Sequence, residues 1–164
     1  MSGRVWRLGG DIDTDVLAPG EYMKFDIQVI SSHCLESVRP DFVRDVKPGD
    51  VIVAGQNFGI GSSREQAPQA LKYLGIAAVI APSFAGLFYR NALNLGLPVL
   101  VCDVAAEIAD GERIDVDPAG GNLTLRAPTR RLRCEPLPSF LLEMVRSGGL
   151  MPYLEKRMRT STQI

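Results

Sequence analysis

The chain has 164 residues, of which 46% are apolar and 23% charged, a balance that supports a packed core of ordinary size and leaves no long stretch that must be disordered. Eighteen basic and nineteen acidic side chains leave a formal charge of −1, so there is no general attraction to nucleic acid or to an anionic membrane, and any anion must be bound locally. Cys34, Cys102 and Cys134 are too scattered for a disulfide framework or a local metal motif, no apolar run approaches a membrane span, and "MSGRVWRLGG" lacks an apolar leader, so the expectation is a cytoplasmic protein in a reducing compartment.

"RVWRL" (Arg4 to Leu8) alternates like a strand and is stopped by the loop formers of "GGDIDTD". Asp26 to Val46 predicts short helices with a break at Pro40. "KPGD" reads as a turn into "VIVAG", a buried-strand run. Beyond a glycine-rich stretch, Ala67, Ala70, Leu71 and Leu74 fall at helical spacing and Gly75 is placed as a stop; "AAVIAP" is a second buried strand. In "SFAGLFYRNALNLG" the stripe Phe84, Leu87, Phe88, Ala92 and Leu95 predicts a helix capped by Ser83 and closed by Gly96, and "LPVLVC" follows as a third buried strand. This alternation implies a parallel sheet with right-handed crossovers. "ERIDVDP", "GNLTLRAP" and "RRLRCEP" predict short antiparallel strands, the first two joined at "AGG". "SFLLEMVRSGG" predicts a helix with Leu141, Met144 and Val145 on one face, and a last short helix is expected from Pro152 to Met158. No repeat or linker interrupts the pattern, so residues 1–164 are expected to form a single α/β domain with a small β extension.

The chemistry concentrates in "GQNFGIGSSREQAP" (Gly55 to Pro68). Glycines between a strand and a helix let backbone N–H groups converge at the positive end of the helix, where an anion binds. The plainer reading is that Ser62 and Glu65 form a capping box. Pro68 separates the two. It lacks an N–H and clashes with the carbonyl four residues back, so a helix starting at Ser63 would misplace it. Either the helix starts near Glu65, leaving Ser62, Ser63 and Arg64 ahead of it, or its first turn is distorted; in both cases two hydroxyls and a bidentate guanidinium face whatever sits in front of the helix. The stretch has neither the Gly-Lys-Ser/Thr ending of a P-loop nor the dinucleotide fingerprint, and it is not G-x-S-x-G; with His33 as the one histidine, a serine hydrolase has a single candidate base.

"DIDTD", "GQNFGIGSSREQAP", "APSFAGLFYRNALNLGLPVL" and "FLLEMVRSGGL", in this order, resemble the small subunits of 3-isopropylmalate dehydratase, of the short type also found in homoaconitase. The resemblance implies an aconitase-type swivelling β/β/α domain with a mostly parallel central sheet and a small antiparallel β extension. It implies a hydro-lyase subunit that shifts a hydroxyl between adjacent carbons by dehydration and rehydration, in leucine biosynthesis. No cofactor or metal is expected in this chain; a [4Fe-4S] cluster is expected in a separate large subunit, forming a heterodimer or higher assembly that acts on a small hydroxydicarboxylic acid. The resemblance assigns Ser62 as the catalytic base, Ser63 and Arg64 to substrate carboxylate, and Tyr22, Met23, Lys24 and Phe25 to a loop that sets substrate choice. Relatives usually read G-C-G-S-S-R-E-H, whereas Ile60 and Gln66 stand here, the latter removing a titratable neighbour.

Within the same class the resemblance admits homoaconitase, 2,3-dimethylmalate dehydratase and citraconate-type hydratases; outside it, the glycine-rich turn admits a phosphate-binding module. Tyr22, Met23 and Phe25 are expected to form an apolar wall favouring a small branched substrate, while the Lys24 ammonium can reach water or meet a carboxylate. Asp11, Asp13 and Asp15 are expected to be turn and cap residues rather than metal ligands, His33 a helix-surface residue, Asn91 a structural polar group, and the cysteines packing residues.

Overall fold

The computed structural model of the chain describes residues 2–126 and 128–162. The apolar runs bounded by turn residues become β1 (Ser2–Arg7), β2 (Val51–Val53), β3 (Ala78–Ala81) and β4 (Val99–Val101), which pair in parallel in the order β4-β3-β2-β1. β2 and β3 are buried at every residue, as strands covered on both faces must be. Because each crossover steps to the next neighbour in the same direction, a constant hand places the connecting helices on one face of the sheet. These are α1 (Thr14–Leu17), α2 (Ile27–Ser32) and α3 (Phe42–Asp45) before β2, α4 (Gln66–Tyr73) before β3 and α5 (Gly86–Asn94) before β4. α2, α4 and α5 pack side by side, and α6 (Ser139–Arg146) and α7 (Leu150–Thr162) continue the row.

On its other edge β1 pairs antiparallel with β5 (Arg113–Asp117), which continues to β6 (Asn122–Leu125) and β7 (Arg130–Arg133). β5 and β6 alternate between buried and exposed residues, as expected for strands with one face on the core. The sheet curls until its ends meet: Glu135 N–H donates to Val101 O at 2.8 Å, just beyond β7 and in β4. The result is the β/β/α arrangement with parallel and antiparallel parts that the resemblance implies; the curl that brings the ends of the sheet together was not expected.

Four local expectations are corrected. Ser83 does not cap α5; Ala85 occupies the cap position, and the Ser83 Oγ instead accepts the Asn57 N–H at 2.8 Å. Leu87 is half exposed because the helix buries Phe88, Ala92 and Leu93 instead. The last helix is longer than Pro152 to Met158; Pro152 sits in its first turn, where its missing N–H costs no bond. The strand expected through "GNLTLRAP" stops at Leu125, and its Ala127 lies outside the described residues.

At the end of the sheet where the parallel strands begin, the buried Asp50 carboxylate accepts from Trp6 Nε1 at 2.9 Å and from the N–H groups of Lys47 and Arg4 at 3.0 and 3.3 Å. Trp6 meets Phe42 edge-on at 5.1 Å, and the guanidinium groups of Arg4 and Arg39 lie 4.4 and 4.7 Å from its ring centre. Asp50→Ala leaves three donors without this acceptor in a dry environment, so urea unfolding should report a loss of about 2–4 kcal/mol. A loss near zero would show that water replaces the carboxylate.

Candidate functional site

The loops leaving the C-terminal ends of β1, β2 and β3 gather at one edge of the sheet, the place where open α/β sheets bind ligands. Three backbone links join them. Gly59 N–H donates to Ile12 O at 2.7 Å, Thr14 N–H to Ile60 O at 2.8 Å, and Ala85 N–H to Phe58 O at 2.9 Å. Phe58 packs edge-on against Phe84 and Phe88, forming an aromatic floor beneath the glycine-rich loop. Gly61 is at φ +98°, which favours glycine, and a Cβ there would stand 2.7 Å from Asp13 Oδ1, so a larger residue would also have to displace the carboxylate that caps α1.

α4 begins at Gln66 with Glu65 in the cap position and no side-chain cap bond. The capping box is therefore not used. Pro68 is the third helical residue, where its lack of an N–H is harmless, as the placement of that proline requires. Ser62, Ser63 and Arg64 thus precede the helix, with both serines exposed. The N–H groups of Ser62, Ser63, Glu65 and Gln66 donate to no group among the described residues, so four backbone donors stand near two hydroxyls at the positive helix end.

Two residues that spacing did not reveal hold this loop. Thr14, only 2% exposed, donates its Oγ1–H to Ser62 O at 2.8 Å; that carbonyl also accepts the Arg64 N–H at 2.8 Å. Asp15 accepts from Arg64 Nη1 at 2.7 Å and from Gly20 N–H at 2.8 Å, while the same Nη1 donates to Ala18 O at 2.9 Å. Arg64 is thereby held at the entrance of the loop containing Tyr22 to Phe25. The signal in the sequence was the alternation of "DIDTD", but its partners lie 48 and 49 residues away.

That loop opens with a turn at Gly20–Tyr22. Tyr22 and Met23 pack against the core, whereas Lys24 and Phe25 are exposed, with Lys24 Nζ 5.4 Å from the Phe25 ring centre. The three apolar side chains therefore do not form one continuous wall. Asp13 caps α1 by accepting from Asp15 N–H at 2.7 Å, the cap role expected, whereas Asp11 accepts from Asn57 Nδ2 at 3.0 Å and so links two loops instead of closing a local turn. Asn91 is half-buried on α5.

Cys34, Cys102 and Cys134 are free and buried. Burial raises all three thiols, Cys134 to about 11, which disfavours the thiolate a metal needs. No group of three or more His, Cys, Asp or Glu side chains suited to a metal ion occurs among the described residues, so the donors present do not fit an iron–sulfur cluster. No helix among the described residues is long and apolar enough to cross a membrane.

The Arg64 guanidinium, then the Gly20 N–H, hold the Asp15 carboxyl below its ordinary value. A depressed folded value means that the contact contributes fully above the unfolded pKa of about 3.9 and is lost as pH falls through the folded one. In a carboxyl NMR titration, Asp15 should therefore titrate below the ordinary aspartate range in the wild type and move upward in Arg64→Gln. An unchanged midpoint would show that Arg64 does not hold it.

The aconitase C-terminal domain family matches residues 30–103. A 3-isopropylmalate dehydratase small subunit of Sulfurimonas denitrificans is 44% identical over 97% of this chain and 96% of its own. A methanogen homoaconitase small subunit of Methanothermobacter thermautotrophicus is 45% identical over 98% of this chain and 94% of its own. The crystal structure of a 3-isopropylmalate dehydratase from Methanocaldococcus jannaschii superposes with a TM-score of 0.93 at 42% identity, covering 99% of this chain and 97% of that one. With such identity across nearly its full length, in sequence and in fold, the chain belongs to the family of 3-isopropylmalate dehydratase small subunits, hydro-lyase subunits of the aconitase type.

Proposed function

We propose that residues 1–164 act as one swivel domain supplying the proton-abstracting serine and the carboxylate-binding arginine for conversion of 2-isopropylmalate to 3-isopropylmalate, a step of leucine biosynthesis in the cytoplasm. The observation that carries this reading is the state of the "GSSRE" loop: Ser62 is free of the cap role and exposed ahead of α4, with Arg64 following it. Ser62 takes the carbon-bound proton. Ser63 and Arg64 hold a substrate carboxylate, the guanidinium through paired N–H bonds that a carboxylate accepts side by side.

This chain alone does not activate such a base. Lowering a serine hydroxyl by about six units corresponds to roughly 8 kcal/mol at ~1.4 kcal/mol per unit. A helix N-terminus contributes ~0.3–1 kcal/mol, and ~2 kcal/mol at best when partly buried. The rest must come from excluding water and from further donors once the loop is covered. Because Ser62 and Ser63 are exposed here, the covering surface belongs to another body. We assign it to a large subunit, which also carries the [4Fe-4S] cluster for which the described residues of this chain offer no fitting donors. The substrate is a small hydroxydicarboxylic acid; neither nucleic acid nor membrane has a part.

One observation favours homoaconitate as a second reading. Lys24 is exposed in the substrate-choice loop, where an ammonium would meet an additional carboxylate. In the assembled enzyme Lys24→Val should preserve or raise kcat/KM for 2-isopropylmalate, and Lys24→Arg should shift preference toward homoaconitate. A wild type that prefers homoaconitate and loses that preference in Lys24→Val would make the second reading correct.

The roles within the loop are separable by kinetics. Ser62→Ala should lower kcat by orders of magnitude with little change in KM, because the base acts in the transition state. Arg64→Lys should chiefly raise KM, since an ammonium does not reproduce the paired contact. If Ser62→Ala kept kcat, Ser62 would not be the base.

A further inference from the structure

His33 is the only histidine in the chain, and the reaction proposed above gives it no part. It is not an idle surface group. Its ring lies face to face with that of Tyr22, the centres 3.6 Å apart and the planes 2° from parallel. Its Nδ1 is 2.6 Å from Glu36 Oε2. An ionised carboxylate only accepts, so Nδ1 carries the proton toward Glu36, and this bond fixes the rotation of the imidazole about its stem.

The platform behind the ring is firm. His33 terminates α2, whose start is capped by Asp26 through a 3.1 Å bond from Val29 N–H. The next two residues, Cys34 and Leu35, are fully buried, and Leu35 N–H donates to Val16 O at 2.9 Å, tying the end of α2 to α1. Tyr22, in contrast, closes a single short turn, Gly20–Tyr22, with no buried residue of its own. That turn is anchored at its start by the Asp15 carboxylate, which also holds Arg64. The stack on His33 is the anchor at its other end.

We propose that His33, braced by Glu36, is a positioning residue that fixes the Tyr22 ring relative to Arg64 and so sets which substrates are accepted. The proposal rests on the reading of Tyr22 to Phe25 as the substrate-choice loop. His33 acts through Tyr22 and touches no reacting atom. Without the imidazole face the Tyr22 ring keeps only its packing against the core, and discrimination at the substrate's variable group relaxes. The carboxylate contact of Arg64 stays, because Asp15 holds it independently.

The test compares kcat/KM for 2-isopropylmalate and homoaconitate in the assembled enzyme. His33→Ala should change the ratio of the two two- to tenfold, the range expected for losing one aromatic contact, and should act through KM more than through kcat. His33→Phe restores a flat ring and should recover most of the wild-type ratio; Glu36→Gln should fall between. In the double variant Tyr22→Ala/His33→Ala the ratio should match that of Tyr22→Ala alone, because one acts through the other. If His33→Ala lowers thermal stability and leaves the ratio untouched while Tyr22→Ala moves it, this inference is overturned and the substrate-choice loop stands. If Tyr22→Ala also leaves the ratio untouched, both are overturned.

Discussion

Two hydrogen bonds from Thr14 carry the site. Its N–H and hydroxyl donate to the carbonyls of Ile60 and Ser62, stitching the loop that follows β1 onto the loop that follows β2. Together with the Gly59–Ile12 and Ala85–Phe58 links they define the path of a segment containing Gly59 and Gly61, and glycine loses more freedom on ordering than any other residue. The stitch lies at the end of a sheet whose strands β2 and β3 are buried at every residue, so it inherits the rigidity of the core. Sites need such support, because a hydroxyl misplaced by an ångström loses much of its effect.

The same geometry supports the proposal that the chemistry divides between two chains. What this chain holds are short-range positioning devices: Thr14 on the Ser62 carbonyl, Asp15 on Arg64, and backbone donors at the start of α4. Each is worth a small amount in an open, hydrated setting. A strong base needs a dry one. An exposed loop on a firm sheet, poorly effective alone, is the expected form of half an active site.

Much of this was legible in the sequence. The buried strands announced themselves as apolar runs bounded by turns, and Gly75 and Gly96 stop α4 and α5 in the left-handed region where glycine is favoured. Pro68 alone was enough to move the start of α4 past Arg64, because its steric demand is local. What could not be read were contacts between distant segments. Thr14 and Asp15 looked like ordinary turn residues until folding brought Ser62 and Arg64 to them. Ser83 had the form of a helix cap, but the loop holding Asn57 claimed its hydroxyl. Likewise the wall expected from Tyr22, Met23 and Phe25 divides, because the first two pack partly buried against the core and the third stays outside.

The most direct test of the account is whether this chain turns over substrate by itself. The purified chain, prepared anaerobically and supplied with iron and sulfide, should show no cluster absorption and no dehydration of 2-isopropylmalate. Activity should appear when the co-purifying large subunit is added, and should disappear when that complex carries Ser62→Ala. Cluster absorption together with turnover by the isolated chain would contradict the division of labour proposed here.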